Sequence, residues 1–154
     1  GHRSIIANPA NTEMVEKINE AVKGRDFWMP FAPSVLAEHV DDYLVDNPKA
    51  ELGYMTACLD SRPAGRQHIA AGLHPRDHTA RVHAVRAEAA PDYHQLLSRF
   101  HARSGHAGVL NTSLNIHGKP IVLKPTDMAE ELLSAEQVTI DHVLVGDRFL
   151  SKTG

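Results

Sequence analysis

Met14, Val15, Ile18 and Val22 recur at helical spacing after the polar turn NPAN, with Asn11 placed to cap the helix and Gly24 to end it. FWMPFAPSVL, residues 27–36, follows. Its Pro30 and Pro33 forbid a helix and predict an extended, kinked segment. A short acidic helix is expected at 37–45 and a turn at DNPKA, while LGYMTACL (52–59) reads as a buried strand. Residues 63–73 read as moderately helical. TARVHAV (79–85) alternates as a strand does, with Val82 on one face and Arg81 and His83 on the other. Pro91 opens a helix that carries Tyr93, Leu96, Leu97 and Phe100 on one face and closes at Gly105. AGVLNTS then runs from strand into loop and KPIVL is extended. Thr126 caps an acidic helix to Leu133, and HVLVG and RFLSK make a closing strand pair about GD. Strands and helices mixed in this way predict an α/β or α+β sheet domain.

A chain of 154 residues suits one domain with a sizeable core, and 42% apolar with 23% charged residues excludes extensive disorder. The single cysteine, Cys58, allows neither an internal disulfide nor a paired-cysteine zinc site, which points to a reducing compartment and most simply the cytoplasm. No apolar run approaches the roughly 18 residues of a membrane span. Opening on GHRSII without Met or leader, the chain reads as a piece of something longer. A net charge of −3, with one Trp, three Tyr and four Phe, offers little to nucleic acid, which favours basic grooves and stacking platforms.

Charge is unevenly spread. Seven arginines (62, 66, 76, 81, 86, 99, 103) face only Asp77, Glu88 and Asp92 between residues 62 and 103, and Asp127, Glu130, Glu131, Glu136 and Asp141 form an acidic run. Two solvated faces of opposite sign would account for this, and so would a basic cleft for a phosphorylated small molecule.

The polar stretch LNTSLNIHGKPIV (110–122) offers short amide and hydroxyl side chains, with Gly118 allowing close approach of backbone. Such a loop can bind an anion or nucleotide, or its polar groups can satisfy their own backbone as Asx and Ser turns. Arg3, Lys23, Arg25 and Arg81 could bring fixed positive charge to phosphates. His74, His78 and His83 lie close in sequence, but in a strand or loop their spacing does not bring ligands to one face as two His four apart on a helix would. Walker, dinucleotide and nucleophile-elbow motifs are absent.

GHRSIIANP, INEAVKGRDFWMPFAPSVL, and HPRDHTARVHAV followed by VLNTSLNIHGKPIV occur in that order over nearly the whole chain. Together they resemble the C-terminal domain of the O-carbamoyltransferases that act in nodulation-factor, cephalosporin and tobramycin tailoring. TSLNIHGKP is also similar to the Thr-Ser-Ala-Asn…Gly-x-Pro signature of YrdC proteins. The resemblance implies a YrdC-like open twisted mixed sheet flanked by helices. It implies that this domain, residues 1–154, takes carbamoyl phosphate and ATP, with Mg2+, and makes carbamoyl-adenylate with release of pyrophosphate. Transfer to an acceptor hydroxyl would fall to a separate N-terminal actin-like domain, where the family's transition metal is expected. No metal ligand is expected in this chain.

Residue by residue, Arg3 and Ser4 match the family's Gly-x-Arg-Ser, Lys23 and Arg25 its Lys-x-Arg, and Arg81 its Thr-Ala-Arg-Val. Asn111, Ser113 and Asn115 match Asn-Thr-Ser-x-Asn. The implied catalytic cations are Lys23, Arg25 and Arg81. The implied carbamoyl-phosphate and nucleotide pocket is Arg3, Ser4, Lys23, Arg81, Asn111, Ser113 and Asn115. Met29 stands where many members carry Arg, which removes one phosphate contact, and Trp28 beside it would widen the pocket. Two other readings stand beside this one: a threonylcarbamoyl-adenylate synthase for tRNA modification, and a non-catalytic nucleotide or RNA-binding module.

Overall fold

A computed structural model describes residues 2–26, 28–128, 130, 140 and 142–151. Its strands are β1 (Ser4–Ala7), β2 (Ala32–Leu36), β3 (Leu59–Asp60), β4 (Thr79–Ala80), β5 (His83–Val85), β6 (Gly108–Ser113), β7 (His142–Val145) and β8 (Arg148–Ser151). The α-helices are α1 (Thr12–Ile18), α2 (Val40–Tyr43), α3 (Pro63–His68), α4 (Pro91–Ser104) and α5 (Pro125–Met128). The central sheet has the order β1-β6-β2-β5. β6 runs antiparallel to both β1 and β2, and β2 runs parallel to β5, so the sheet is mixed as expected. These directions bring the starts of β1, β2 and β5 and the finish of β6 to one end of the sheet.

Helices cover the sheet through two apolar clusters. Val15 and Ile18 of α1 pack with Ile5, Val22, Phe31, Leu110 and Val122. Leu97 of α4 packs with Val35, Leu36, Val82, Val85 and Val109. β2, the strand between β6 and β5, is buried at all five positions. Gly108 allows β6 to approach it, since a Cβ there would stand 2.7 Å from the Ser34 carbonyl oxygen.

The Asn11 side chain accepts the Met14 N–H at 2.9 Å, the cap the sequence predicts. Asn11→Ala should lower stability by about 1 kcal/mol in a urea titration, with the slope unchanged. Gly105 ends α4 at φ +76 and Gly146 turns the β7–β8 hairpin at φ +62, both backbone positions that favour glycine.

Several expectations give way to local geometry. LGYMTACL is not a strand over its length: only Leu59 at its end pairs, and Tyr54 is 77% exposed. Met55 sits at φ +56, and the turn is tied by the Glu51 carboxylate, which accepts the Gly53 N–H at 2.7 Å. TARVHAV is divided between sheets, with β4 pairing with β3 and β5 with β2, although Val82 is buried and Arg81 exposed as the alternation requires. Leu96 leaves the buried face of α4 at 37% exposed, while Leu97 is 0% exposed. LNTS belongs to strand β6 through Ser113, and the loop begins only at Leu114. At α5 the Asp127 carboxylate accepts the Leu123 and Lys124 N–H groups, so Thr126 lies inside the helix instead of capping it. Residues 129 and 131–133 of the expected continuation to Leu133 lie outside the described residues, as do Glu136 and Asp141 of the acidic run. No helix among the described residues is long and apolar enough to cross a membrane.

Candidate functional site

Register decides which side chains share a face of the central sheet. Ser4 pairs with Ser113, Asn111 with Ala32, and Ser34 with His83. Directly opposed residues point the same way and side chains alternate along a strand. Ser4, Ser113, Asn111, Ser34 and His83 therefore line one face as a polar stripe. Asn111 Nδ2 donates to Ser34 Oγ at 3.0 Å, and Ser34 Oγ lies 3.3 Å from His83 Nδ1.

Lys23 and Arg25 reach this end of the sheet through a break in helix geometry. After α1 the chain continues as a π turn, Asn19–Lys23, whose closing bond runs from Gly24 N–H to the Asn19 carbonyl. Gly24 then adopts φ +52, which reverses the chain. The Asn19 side chain brackets the next residue, accepting the Arg25 N–H and donating to the Arg25 carbonyl, both at 2.9 Å.

Lys23 is only 4% exposed. Its Nζ donates to the carbonyls of Ser113 and Asn115, the latter at 2.8 Å, and lies 2.9 Å from Asn115 Oδ1 and 3.2 Å from Ser113 Oγ. Four oxygens surround one ammonium, and none is a carboxylate. Burial, then the nearby charge of Arg25, brings its pKa down to about 8. The loop is locked from the other side: Asn115 Nδ2 donates to the Lys119 carbonyl at 2.8 Å, and His117 Nδ1 donates to the Lys23 carbonyl at 2.7 Å.

Arg25 donates from Nη2 to Thr112 Oγ1 at 3.2 Å, and its guanidinium carbon lies 4.6 Å from the centre of the Phe31 ring, a cation–π contact. Burial and the charge of Arg81 lower its proton affinity. Arg81, two residues before His83, is thus electrostatically coupled to Arg25, and Arg25 to Lys23. Arg3 precedes β1 at the same end of the sheet, where its guanidinium donates to the Val122 carbonyl at 3.3 Å. Trp28 and Met29 are both exposed.

Six of the eight residues singled out from sequence are linked to one another. Lys23, Ser113 and Asn115 are bonded directly; Ser4 is the cross-strand neighbour of Ser113; Arg25 and Arg81 interact through charge. Asn111 shares the sheet face of Ser4 and Ser113 but bonds to Ser34, not to Lys23, whereas Arg25 meets Thr112 on the opposite face and Arg3 bonds to the Val122 carbonyl. Sequence reasoning missed Asn19, Ser34, Thr112 and His117. For Asn19 a signal existed, since an amide six residues before Arg25 at a helix end suits backbone bracketing. For Ser34 and Thr112 only strand register reveals the contact.

Among the described residues no group of three or more His, Cys, Asp or Glu gathers as a metal site. His74 instead pairs with Asp77 at 3.3 Å. Two shallow depressions lie elsewhere, about 290 Å³ beside Val45, Pro48 and Cys58, and about 190 Å³ beside Val40, Leu52 and Arg86. The cation cluster, rich in donors and without a carboxylate among the hydrogen-bond partners of Lys23 and Arg25, suits an anion.

Residues 1–152 match the family model described as carbamoyltransferase C-terminus. An uncharacterised protein of Synechocystis is 36% identical over 99% of this chain and 27% of its own length. The nodulation protein NolNO of Sinorhizobium fredii is 31% identical over 99% of this chain and 22% of its own. The 3'-hydroxymethylcephem-O-carbamoyltransferase of Amycolatopsis lactamdurans is 30% identical over 98% of this chain and 27% of its own. The chain thus spans roughly a quarter of the length of these relatives. With a match that runs from before β1 to beyond β8, the chain belongs to the carbamoyltransferase C-terminal family.

Proposed function

We propose that this domain forms carbamoyl-adenylate from carbamoyl phosphate and ATP, as the first half-reaction of an O-carbamoyltransferase. The observation that carries the reading is the gathering of Lys23, Arg25 and Arg81 at one end of the sheet, with Arg25 repelled by Arg81 and itself repelling Lys23. A polyanionic substrate relieves that repulsion, and two such substrates meeting there need it relieved most.

The chemistry is balanced by water and phosphate. Water opens carbamoyl phosphate to carbamate and phosphate; a carbamate oxygen then attacks the α-phosphorus of ATP, and the bond to pyrophosphate breaks. Lys23, Arg25 and Arg81 neutralise the charge that gathers on the phosphoryl oxygens. Ser113 and Asn115 already hold Lys23, so their part is to aim the ammonium. Asn111, Ser4 and Arg3 complete the wall. Mg2+ would arrive with ATP as part of the substrate, since the hydrogen-bond partners of Lys23 and Arg25 include no carboxylate to hold it. Transfer to an acceptor hydroxyl belongs to an N-terminal actin-like domain, and an ATP-dependent reaction of this kind belongs in the cytoplasm.

Pyrophosphate release tests the reading. The full-length protein should release pyrophosphate from ATP only when carbamoyl phosphate is present, and Arg81→Ala should slow this at least ~10-fold. An unchanged rate in that variant overturns the assignment of Arg81. Release driven by threonine plus bicarbonate identifies a threonylcarbamoyl-adenylate synthase instead, and nucleotide binding without release a binding module.

A further inference from the structure

Away from the cation cluster, four histidines gather where α2, α3 and α4 meet. His39 and His101 approach ring to ring at 4.6 Å, and His68 and His106 at 4.9 Å. The second pair is also joined atom to atom, with His68 Nδ1 lying 2.9 Å from His106 Nδ1. His68 ends α3 and His106 follows the glycine that ends α4, so this contact ties the ends of two helices together.

Each imidazole is backed by an aromatic ring. The buried Tyr43 stacks on His68 at 5.4 Å between ring centres, and its hydroxyl accepts the Ala107 N–H at 2.8 Å, beside His106. Phe100 stacks on His106 at 6.4 Å. Two nitrogens with lone pairs, each on a ring held by neighbours, are what a first coordination shell requires.

We propose that His68 and His106 form a two-histidine site for a divalent transition-metal ion, with water in the remaining positions. In the metal-free pair a single proton lies between the nitrogens, one ring donating and the other accepting. On binding, that proton passes to Nε2 of the donating ring, leaving two neutral Nδ1 ligands.

Separation selects the ion. With metal–nitrogen bonds of about 2.0–2.1 Å, a 2.9 Å separation closes to an angle of roughly 90° at the metal. That angle belongs to the tetragonal and octahedral geometries of Cu2+ and Ni2+, while tetrahedral Zn2+ needs the nitrogens a few tenths of an ångström further apart. The carboxylates nearest in the bonding scheme are engaged elsewhere: Asp42 with His39, and Glu38 with His94.

The test is a titration of the chain with Cu2+ alone at neutral pH, following the imidazole signals of each histidine by NMR. Paramagnetic Cu2+ should broaden His68 and His106 at substoichiometric ion, before the exposed His78. His106→Gln should leave His68 sharp at the same ion concentration and weaken binding at least ~10-fold. His68→Gln should do the reverse, and His74→Gln should change nothing. Broadening that follows solvent exposure alone, or that begins at His74 and survives His106→Gln, overturns the site. Unchanged His68–His106 signals under saturating Cu2+ would mean that the pair holds a proton only.

Discussion

Replacement of Lys23 by Met is expected to abolish carbamoyl-phosphate-dependent pyrophosphate release, with a loss of at least ~100-fold, and to destabilise the fold by about 2–3 kcal/mol. Both effects follow from its four oxygen neighbours. A thioether of similar length fills the space but takes a donor from the carbonyls of Ser113 and Asn115 and from the Asn115 amide oxygen, which keeps only the Ser113 hydroxyl. Lys23→Arg should not rescue the activity, because a flat fork of five donors does not fit a cage shaped for one compact ammonium.

The pH dependence separates this residue's two roles. Folded Lys23 loses its proton near pH 8, whereas an ordinary lysine does so near 10.5. Between those values the unfolded chain binds more protons, so this group's contribution to stability increases as pH rises through the window. Substrate binding runs the other way, because it needs the ammonium. Pyrophosphate release should therefore decline above about pH 8 while the difference in melting temperature between wild type and Lys23→Met widens. A release profile flat to pH 10 would separate Lys23 from the chemistry.

Leu97→Ala should cost about 2–5 kcal/mol in urea unfolding. Leu97 is 0% exposed, in the cluster that joins α4 to β2 and β6. Removing its branch opens a cavity under the strands that carry Ser34 and Asn111. The neighbouring Leu96, 37% exposed, should lose less than ~1 kcal/mol on the same change. Equal losses at both positions would contradict the orientation of α4 described above.

That contrast shows where periodicity stops being informative. Tyr93, Leu96, Leu97 and Phe100 suit one apolar stripe, but how α4 rolls against the sheet is set by what it packs on, and this leaves Leu96 at the margin. LGYMTACL carries apolar residues in strand-like proportion, yet Glu51 ties Gly53 and the positive φ of Met55 turns the chain away from the sheet. Local rules did better where the cause is local. Asn11 as cap, Gly24 and Gly105 as terminators, and the hairpin turn at Gly146 all depend on groups a few residues apart.

The candidate site divides along the same line. Motifs alone pick out Lys23, Arg25, Arg81, Asn111, Ser113 and Asn115, and they carry the family with them, because residue identities in order survive without coordinates. What Ser113 and Asn115 do is a different matter: they cage an ammonium 90 and 92 positions earlier in the chain. No periodicity reports on a contact of that range. Composition, helix ends, the mixed α/β class and the family are thus determined by the sequence, since each rests on neighbours within a few residues or on ordered motifs. The tertiary structure alone decides strand register and direction. It thereby decides that Ser34 and His83 join the polar face, that Arg25 comes between the charges of Lys23 and Arg81 at one end of the sheet, and that His68 meets His106, because each depends on segments brought together only by packing.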